Sequence, residues 1–288
     1  MQDFTQPYSI QARKGVRRLA LWGTTALLAA LTSIPLTTIP SIAQGLPSLA
    51  DWQEAGFTPN VSTSAERSSG GGTRSVVTEI QIAALIPGHN SYGVTVKPDP
   101  NLLVYLAAGS GQRLVFLEVE EISRNADDSL QYTVIHEQEL EIERRAGLMK
   151  FQLPATRSAG TPLLNPGQDY RWVVTVYSDV SGDSIAGEVT GYISHIPSEN
   201  VNWTNPETIS QLNNLSSHEQ GQYLFQNYIW YDGLVALAQG YQVDPAGLLA
   251  DWEQVLATSG LEGTEAEQVL VDMAANPNFI EAKLLHSQ

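Results

Sequence analysis

The chain has 288 residues, with 15 Lys and Arg against 31 Asp and Glu, a net charge of −16, and no cysteine. That charge excludes a nucleic-acid partner, whose phosphates call for clustered Lys and Arg. The missing cysteines exclude disulfides, iron–sulfur clusters, thiolate zinc sites and a cysteine nucleophile. With 42% hydrophobic residues, the chain has enough apolar surface to bury a core and is no acidic disordered tail.

The N-terminus has the pattern of a secretory signal. Arg13, Lys14, Arg17 and Arg18 precede an apolar run from Leu19 to Ile34, which ends at Pro35 and is followed by Ser41-Ile42-Ala43, a small-x-small cleavage sequence. The run of about 16 residues is shorter than the ~20 that cross a bilayer, so cleavage after Ala43 is expected and no membrane span remains. Cleavage removes more positive than negative charge, leaving the mature chain still more acidic. Residues 44–75 are rich in Gly, Ser, Thr and Pro, including Ser68-Ser69-Gly70-Gly71-Gly72-Thr73, and are expected to be a flexible leader. Within it Leu46, Leu49, Trp52 and Phe57 suit one short docking turn.

Residues 76–197 carry the period-2 signal of strands. Val76, Thr78, Ile80 and Ile82 alternate, and Leu114–Glu121 is an apolar strand turning acidic at its end. Asn125-Ala126-Asp127-Asp128-Ser129 supplies the turn of a hairpin whose second strand starts near Leu130. Further strands are expected over 92–97, 102–107, 148–153, 170–178 and 188–196. Short strands with no helical periods between them argue for a β-sandwich over a βαβ fold. Leu164-Asn165-Pro166-Gly167-Gln168-Asp169-Tyr170-Arg171-Trp172 resembles the corner of fibronectin-III and immunoglobulin-like domains, where a Tyr at the start of a strand hydrogen-bonds back to the corner backbone.

Residues 198–288 switch to helical periods. Asn205-Pro206, Ser217-x-x-Gln220, Asp244-Pro245 and Thr264-x-x-Glu267 read as helix starts. Leu224, Tyr228, Tyr231, Val235 and Ala238 form a stripe on one long helix. Leu248, Leu249, Trp252, Val255 and Leu256 mark the next, stopping at Gly260. Val269, Leu270, Met273, Phe279, Ile280 and Leu284 suggest a last helix broken near Asn276-Pro277. The expected fold class is therefore α+β: an immunoglobulin-like antiparallel β-sandwich over 76–197 and a small C-terminal helical domain over 198–288, behind a signal segment at 1–43 and a leader at 44–75.

Several of these stretches together carry a family resemblance. They are Gly71-Gly72-Thr73-Arg74, Leu85-Ile86-Pro87, Tyr92-Gly93-Val94-Thr95, Pro100 with Val104-Tyr105, Gly147 with Phe151-Gln152-Leu153-Pro154, the corner from Leu164 to Trp172, Gly191-Tyr192-Ile193, Tyr228-Ile229-Trp230-Tyr231-Asp232, and Trp252 with Gly260-Leu261. Over roughly residues 70–262 the chain resembles the cyanobacterial domain of unknown function 928 (DUF928) proteins. Ser194-His195 stands where a basic pair is expected of that family, and its frequent cysteines are absent. The resemblance implies export, a β-rich body and a helical tail, and it carries no activity or catalytic residues.

Chemistry-bearing patterns are sparse. His218-Glu219-Gln220-Gly221-Gln222 lacks the second His of a metalloprotease helix, so His218 is expected to be exposed in its helix's first turn. Gly88-His89-Asn90-Ser91-Tyr92-Gly93 lacks the spacing of a serine-hydrolase elbow and reads as a turn before a strand. No nucleotide-binding glycine motif occurs, and no cofactor or metal is expected. Glu137, Glu139, Glu141 and Glu143 share one strand face, near Glu118, Glu120 and Glu121. Four like charges on one face need solvent, a cation, a basic partner or nearby Arg113, Arg144 or Arg145. Asp179-Val180-Ser181-Gly182-Asp183 reads as a hairpin turn, lacking the full ligand series of a calcium loop. The candidate binding surface is Trp230, Tyr231 and Asp232 with Tyr228: either the seam by which a helix docks on the sandwich, or a platform for a protein or carbohydrate partner.

These patterns weigh against an enzyme. The expectation is an exported, non-catalytic binding or envelope-associated module, in the periplasm, cell envelope or outside the cell. The alternatives are a polysaccharide hydrolase acting through acidic residues and a structural subunit of a membrane or secretion complex.

Overall fold

The computed structural model describes residues 45–55, 82–107, 111–143 and 145–287. The signal segment, Phe57, the alternation at Val76, Thr78 and Ile80, and Arg144 lie outside the described residues. Within the leader, Leu49–Glu54 forms a short helix, α1. It starts where Ser48 and Asp51 close a reciprocal capping box, each side chain taking the other's backbone N–H. Its Trp52 is buried in the core, so the docking turn is real.

Eight strands follow: β1 (Ile82–Ala84), β2 (Tyr92–Thr95), β3 (Asn101–Leu106), β4 (Gln112–Arg124), β5 (Leu130–Glu143), β6 (Gly147–Gln152), β7 (Asp169–Tyr177) and β8 (Ile185–His195). Apart from β1, which shares only Ile82 with the expected alternation, they match the expected strands to within a few residues at each end. A ninth, β9 (Ala282–Ser287), comes after the helices. One sheet has the order β1-β3-β6, the other β2-β8-β7-β4-β5-β9. Among the described strands all pairings are antiparallel except β2 with β8, which run parallel, a departure from the purely antiparallel expectation. Turn chemistry sets the hairpins. Asp128 takes a positive φ of 69° in the β4–β5 turn, which Asn125 N–H closes on the Ser129 carbonyl at 2.9 Å. Gly182, at φ 73°, turns β7 into β8 where no Cβ obstructs the left-handed conformation.

Helices α2 (Pro206–Gln211), α3 (Ser217–Gln226), α4 (Trp230–Val243), α5 (Leu249–Thr258) and α6 (Thr264–Ala275), with short 3-10 turns at Ser198–Asn200 and Leu212–Asn214, complete the described elements. Several sequence expectations need correcting here. The stripe from Leu224 to Ala238 does not lie on one helix. Asn227 bridges the end of α3, donating to the Tyr223 carbonyl and accepting from Thr204 N–H, both at 2.7 Å. Tyr228 then takes a left-handed φ of 60°, and Trp230 opens the next helix instead of sitting mid-helix. The capping box of α3 is Ser216 with Glu219, one residue before the expected pair. Asp244 ends α4 and takes the Gly247 N–H at 3.0 Å, a turn and not a helix start. Gly263 precedes α6, and no side chain caps it. Beyond Pro277 the chain forms β9 in place of more helix.

Side chains from both sheets, from α1 and from α3 through α6 meet in one buried cluster. The larger sheet contributes alternate residues: Val115, Leu117 and Val119 from β4, and Tyr170, Trp172, Val174 and Val176 from β7. This period-2 selection explains why one face of these strands is apolar while the other is free for other chemistry.

Candidate functional site

Trp230, Tyr231 and Asp232 form the first turn of α4, and all three are buried. The indole of Trp230 donates to the Leu85 carbonyl at 2.8 Å. Trp172 Nε1 donates to the Tyr231 hydroxyl at 2.8 Å, and that hydroxyl donates to the Tyr192 carbonyl at 2.8 Å. Every polar atom of these three rings is thus satisfied inside the core, the condition for burying them without penalty. Glycines make the approach possible. A Cβ on Gly93 would come within 2.7 Å of the Tyr231 ring, and one on Gly191 within 2.4 Å of the Trp172 ring. Glycine inside a strand pattern, at Tyr92-Gly93-Val94 and Gly191-Tyr192, is the one sequence signal that could have exposed this contact.

The opposite side of the seam is closed by α1. Trp52 meets Trp230 edge-to-face at 5.0 Å, Tyr228 at 5.1 Å and Phe225 at 6.4 Å. Tyr228 is half-buried, and burial, with Asp51 and Glu54 nearby, raises its pKa. Asp232 is the chemical outlier of the seam. Its Oδ2 accepts from Val96 N–H at 2.8 Å and from the Thr95 hydroxyl at 3.0 Å. Burial pushes its carboxyl above the usual range, against those hydrogen bonds and the charges of Lys97 and His195. These four residues therefore come together, but as an interior seam with Tyr228 at its margin.

The histidines do not gather. His218 Nε2 meets Asp251 at 2.5 Å, and Gln222 also donates to that carboxylate, at 3.1 Å, so His218 is half-buried and paired rather than exposed. His195 is buried with Nδ1 3.4 Å from the Leu164 carbonyl. Ser91 and His89 lie in a turn closed by Ser91 N–H on the Pro87 carbonyl, as the spacing suggested. Among the described residues no group of three or more His, Asp or Glu is placed to hold a metal ion.

The acidic residues do gather, on the outward face of the larger sheet. Its rows follow from the register. Thr190, Val173, Glu118 and Glu137 lie side by side across β8, β7, β4 and β5. The neighbouring row runs Glu188, Thr175, Phe116 and Glu139. Phe116 packs edge-to-face on Tyr177 at 5.6 Å, an aromatic pair on this face that sequence reasoning missed because it spans two strands. Glu118 stands directly opposite Glu137, two carboxylates in one cross-strand position. Partial burial, then repulsion from Glu120, Glu137 and Glu188, raises the Glu118 pKa, with Arg171 offsetting part of it. One end of the face is neutralised. A bulge at Ile135 turns Tyr132 to the same side as Glu120, where the Arg171 guanidinium lies 3.8 Å above the Tyr132 ring and pairs with Glu120. Arg113 is buried, and on the next row the exposed Lys283 approaches Glu141 only to 3.9 Å. At the lateral edge, a shallow depression of about 440 Å³ is lined by His136, Gln138, Gln152 and Ser287 among others.

Against known proteins, the family model described as Domain of Unknown Function (DUF928) matches residues 69–269. The chain belongs to that family. The sequence matches none of the curated proteins. Among solved structures, a β-glucosidase from Listeria innocua in complex with gluconolactone aligns at 7% identity and a TM-score of 0.23, over 41% of this chain and 16% of that one. The same enzyme in complex with glucose aligns at 8% identity and a TM-score of 0.24 over the same shares. The chain thus spans about a sixth of those enzymes. No described helix is long and apolar enough to cross a membrane.

Proposed function

We propose that this chain is an exported, non-catalytic binding or envelope-associated module, and that its contact surface is the open acidic face of the larger sheet. The observation that carries this is Glu118 set opposite Glu137, with Glu120 and Glu188 close enough to act on Glu118. Like charges directly opposite each other on a sheet destabilise it. Their retention beside a half-exposed Phe116–Tyr177 pair is accounted for by a partner that brings positive charge to the face, a basic protein segment in the simplest case. Export rests on the basic and apolar pattern before Ala43, and a cyanobacterial cell-envelope setting rests on the family resemblance. The immunoglobulin-like assignment is supported by the strand order, β1-β3-β6 in one sheet and β8-β7-β4-β5 in the other, and by the Tyr170 hydroxyl, which takes the Asn165 N–H at 2.8 Å.

Titration with a decalysine peptide tests the contact surface. Glu118→Gln/Glu137→Gln should weaken its binding by about tenfold, the worth of one well-placed charge pair. Equal affinity of variant and wild type would overturn the assignment. Mass spectrometry of the exported protein should find it beginning near Gln44, and a form retaining residues 1–40 would contradict processing.

A hydrolase is the second reading, favoured by the raised pKa of Glu118 amid other carboxylates, the property of a general acid. Release of reducing sugar from an envelope polysaccharide, abolished in Glu118→Gln, would select it over the binding module.

A further inference from the structure

The outward face of the larger sheet already holds one guanidinium, and its surroundings show how this face binds a planar cation. Arg171 of β7 reaches across β4, where it pairs with Glu120, and lies 3.8 Å above the Tyr132 ring of β5. The cation is thus held by a carboxylate from one strand and an aromatic face from the next. Only 21% of the Arg171 side chain and 11% of that of Glu120 are exposed, so water and salt screen the pair less than one on open surface.

The same two ingredients recur farther along β4 and β5 without a cation from the chain. The outward positions of β7 run Arg171, Val173, Thr175 and Tyr177, and only the first carries positive charge. Val173 faces the row of Glu118 and Glu137, and Thr175 faces the row of Phe116 and Glu139, with Glu188 on its other side. The Phe116 ring therefore has Glu118 two residues along its own strand and Glu139 directly across. Tyr177 stands against it at 5.6 Å, with 71° between the ring planes, and both rings are half-buried. Among the described residues no Lys or Arg forms an ion pair with Glu118, Glu137, Glu139 or Glu188. Among them, too, no cation lies over either ring.

Carboxylates alone would accept lysine and arginine alike. The rings discriminate between them. A guanidinium is flat and weakly hydrated, so it can lie on an aromatic face while its fork of N–H donors reaches a neighbouring carboxylate. An ammonium is compact and strongly hydrated, and gains less from the ring. Arg171 on Tyr132 and Glu120 shows that geometry within this molecule.

We propose that the Phe116–Tyr177 pair and the carboxylates around it form a guanidinium-binding slot, filled by an arginine side chain from a segment of a protein partner. This rests on the acidic face being the contact surface, and adds the residue type that the face selects. Val173 and Thr175, standing where β7 could have supplied a second and third cation, leave the slot to the partner.

Titration of the full chain with decaarginine and with decalysine tests the slot. The unmodified protein should bind decaarginine roughly tenfold more tightly. Phe116→Leu keeps an apolar residue and every charge, and by weakening decaarginine alone should bring the two affinities to within about threefold. Equal binding of the two peptides by the unmodified protein would overturn the proposal, as would a preference for arginine that survives Phe116→Leu. Thermal unfolding shows whether the variant is folded, and Tyr177→Leu repeats the measurement from the other ring if it is not. The acidic-face reading is judged separately by Glu118→Gln/Glu137→Gln. It stands if that variant weakens both peptides whatever Phe116→Leu does, and it falls, taking the slot with it, if both bind as before.

Discussion

The two faces of strands β4, β7 and β8 show how one set of backbones serves opposite ends. Inward, Gly191 lies so close to the Trp172 ring that a methyl group on it would collide, and the Trp172 indole and the Tyr231 hydroxyl that it meets both find partners. Outward, one residue along, the partly exposed Glu118 stands opposite Glu137 with the exposed Glu188 nearby, and the Glu118 pKa is raised. Burial makes every unsatisfied atom costly, so the polar atoms of Trp172, Trp230 and Tyr231 are all paired. Exposure makes charge repulsion cheap, so the outer face tolerates a placement that no interior would. Function has room on the second face for that reason.

The largest effect should come from emptying the inner face. Trp230→Ala removes a ring packed between Trp52, Phe225 and the Leu85 carbonyl, and should cost ~3–5 kcal/mol of stability in denaturant unfolding. A midpoint equal to wild type would show that the seam is not structural. Gly191→Ala probes the same face by overfilling it, and a loss of about 1–3 kcal/mol is expected. Tyr170→Phe keeps the ring and removes the hydroxyl that takes the Asn165 N–H, a loss of about 1 kcal/mol. Equal melting of the two proteins would mean that water replaces the bond at no cost.

The smallest changes belong to the carboxylates, and they sharpen the contrast through their sign. Glu118→Gln should stabilise the protein by about 0.2–1 kcal/mol, since it relieves an opposed pair. Asp232 and Glu118 both have folded pKa values raised above their ordinary range. Across the window from that range upward the folded state holds more protons than the unfolded one, so stability falls as pH rises. Asp232→Asn should remove part of that slope, and urea unfolding between acid and neutral pH measures it. An unchanged slope would mean that the hydrogen bonds from Thr95 and Val96 outweigh burial.

Much of this was legible along the chain. The alternation at Leu114–Glu121 and Tyr170–Val176 located strands and their apolar face, because side-chain direction in a strand repeats every two residues whatever lies beyond it. The Asn125–Ser129 turn, the Asn205-Pro206 cap, the Gly260 stop and the Tyr170 corner were equally readable, each being a short-range bond. Spacing misled where it imitated continuity. Leu224, Tyr228 and Tyr231 keep a helical interval, yet Asn227 and a left-handed Tyr228 divide the helix. The segment after Pro277 has apolar residues that suit either helix or strand, and the open edge of β5 turns it into β9.

The candidate site divides along the same line. Trp230, Tyr231 and Asp232 were identifiable as unusual from residue type alone, since aromatic size and a carboxylate among apolar neighbours are local facts. Whether they faced solvent depended on Trp52 from α1 and on Gly93 and Gly191 from two strands, 39 to 180 positions away in the chain. The opposition of Glu118 and Glu137 likewise depended on the register and bulge of the β4–β5 hairpin. Local bonding reads out from neighbouring residues, whereas burial and charge pairing are properties of surfaces that distant segments bring together.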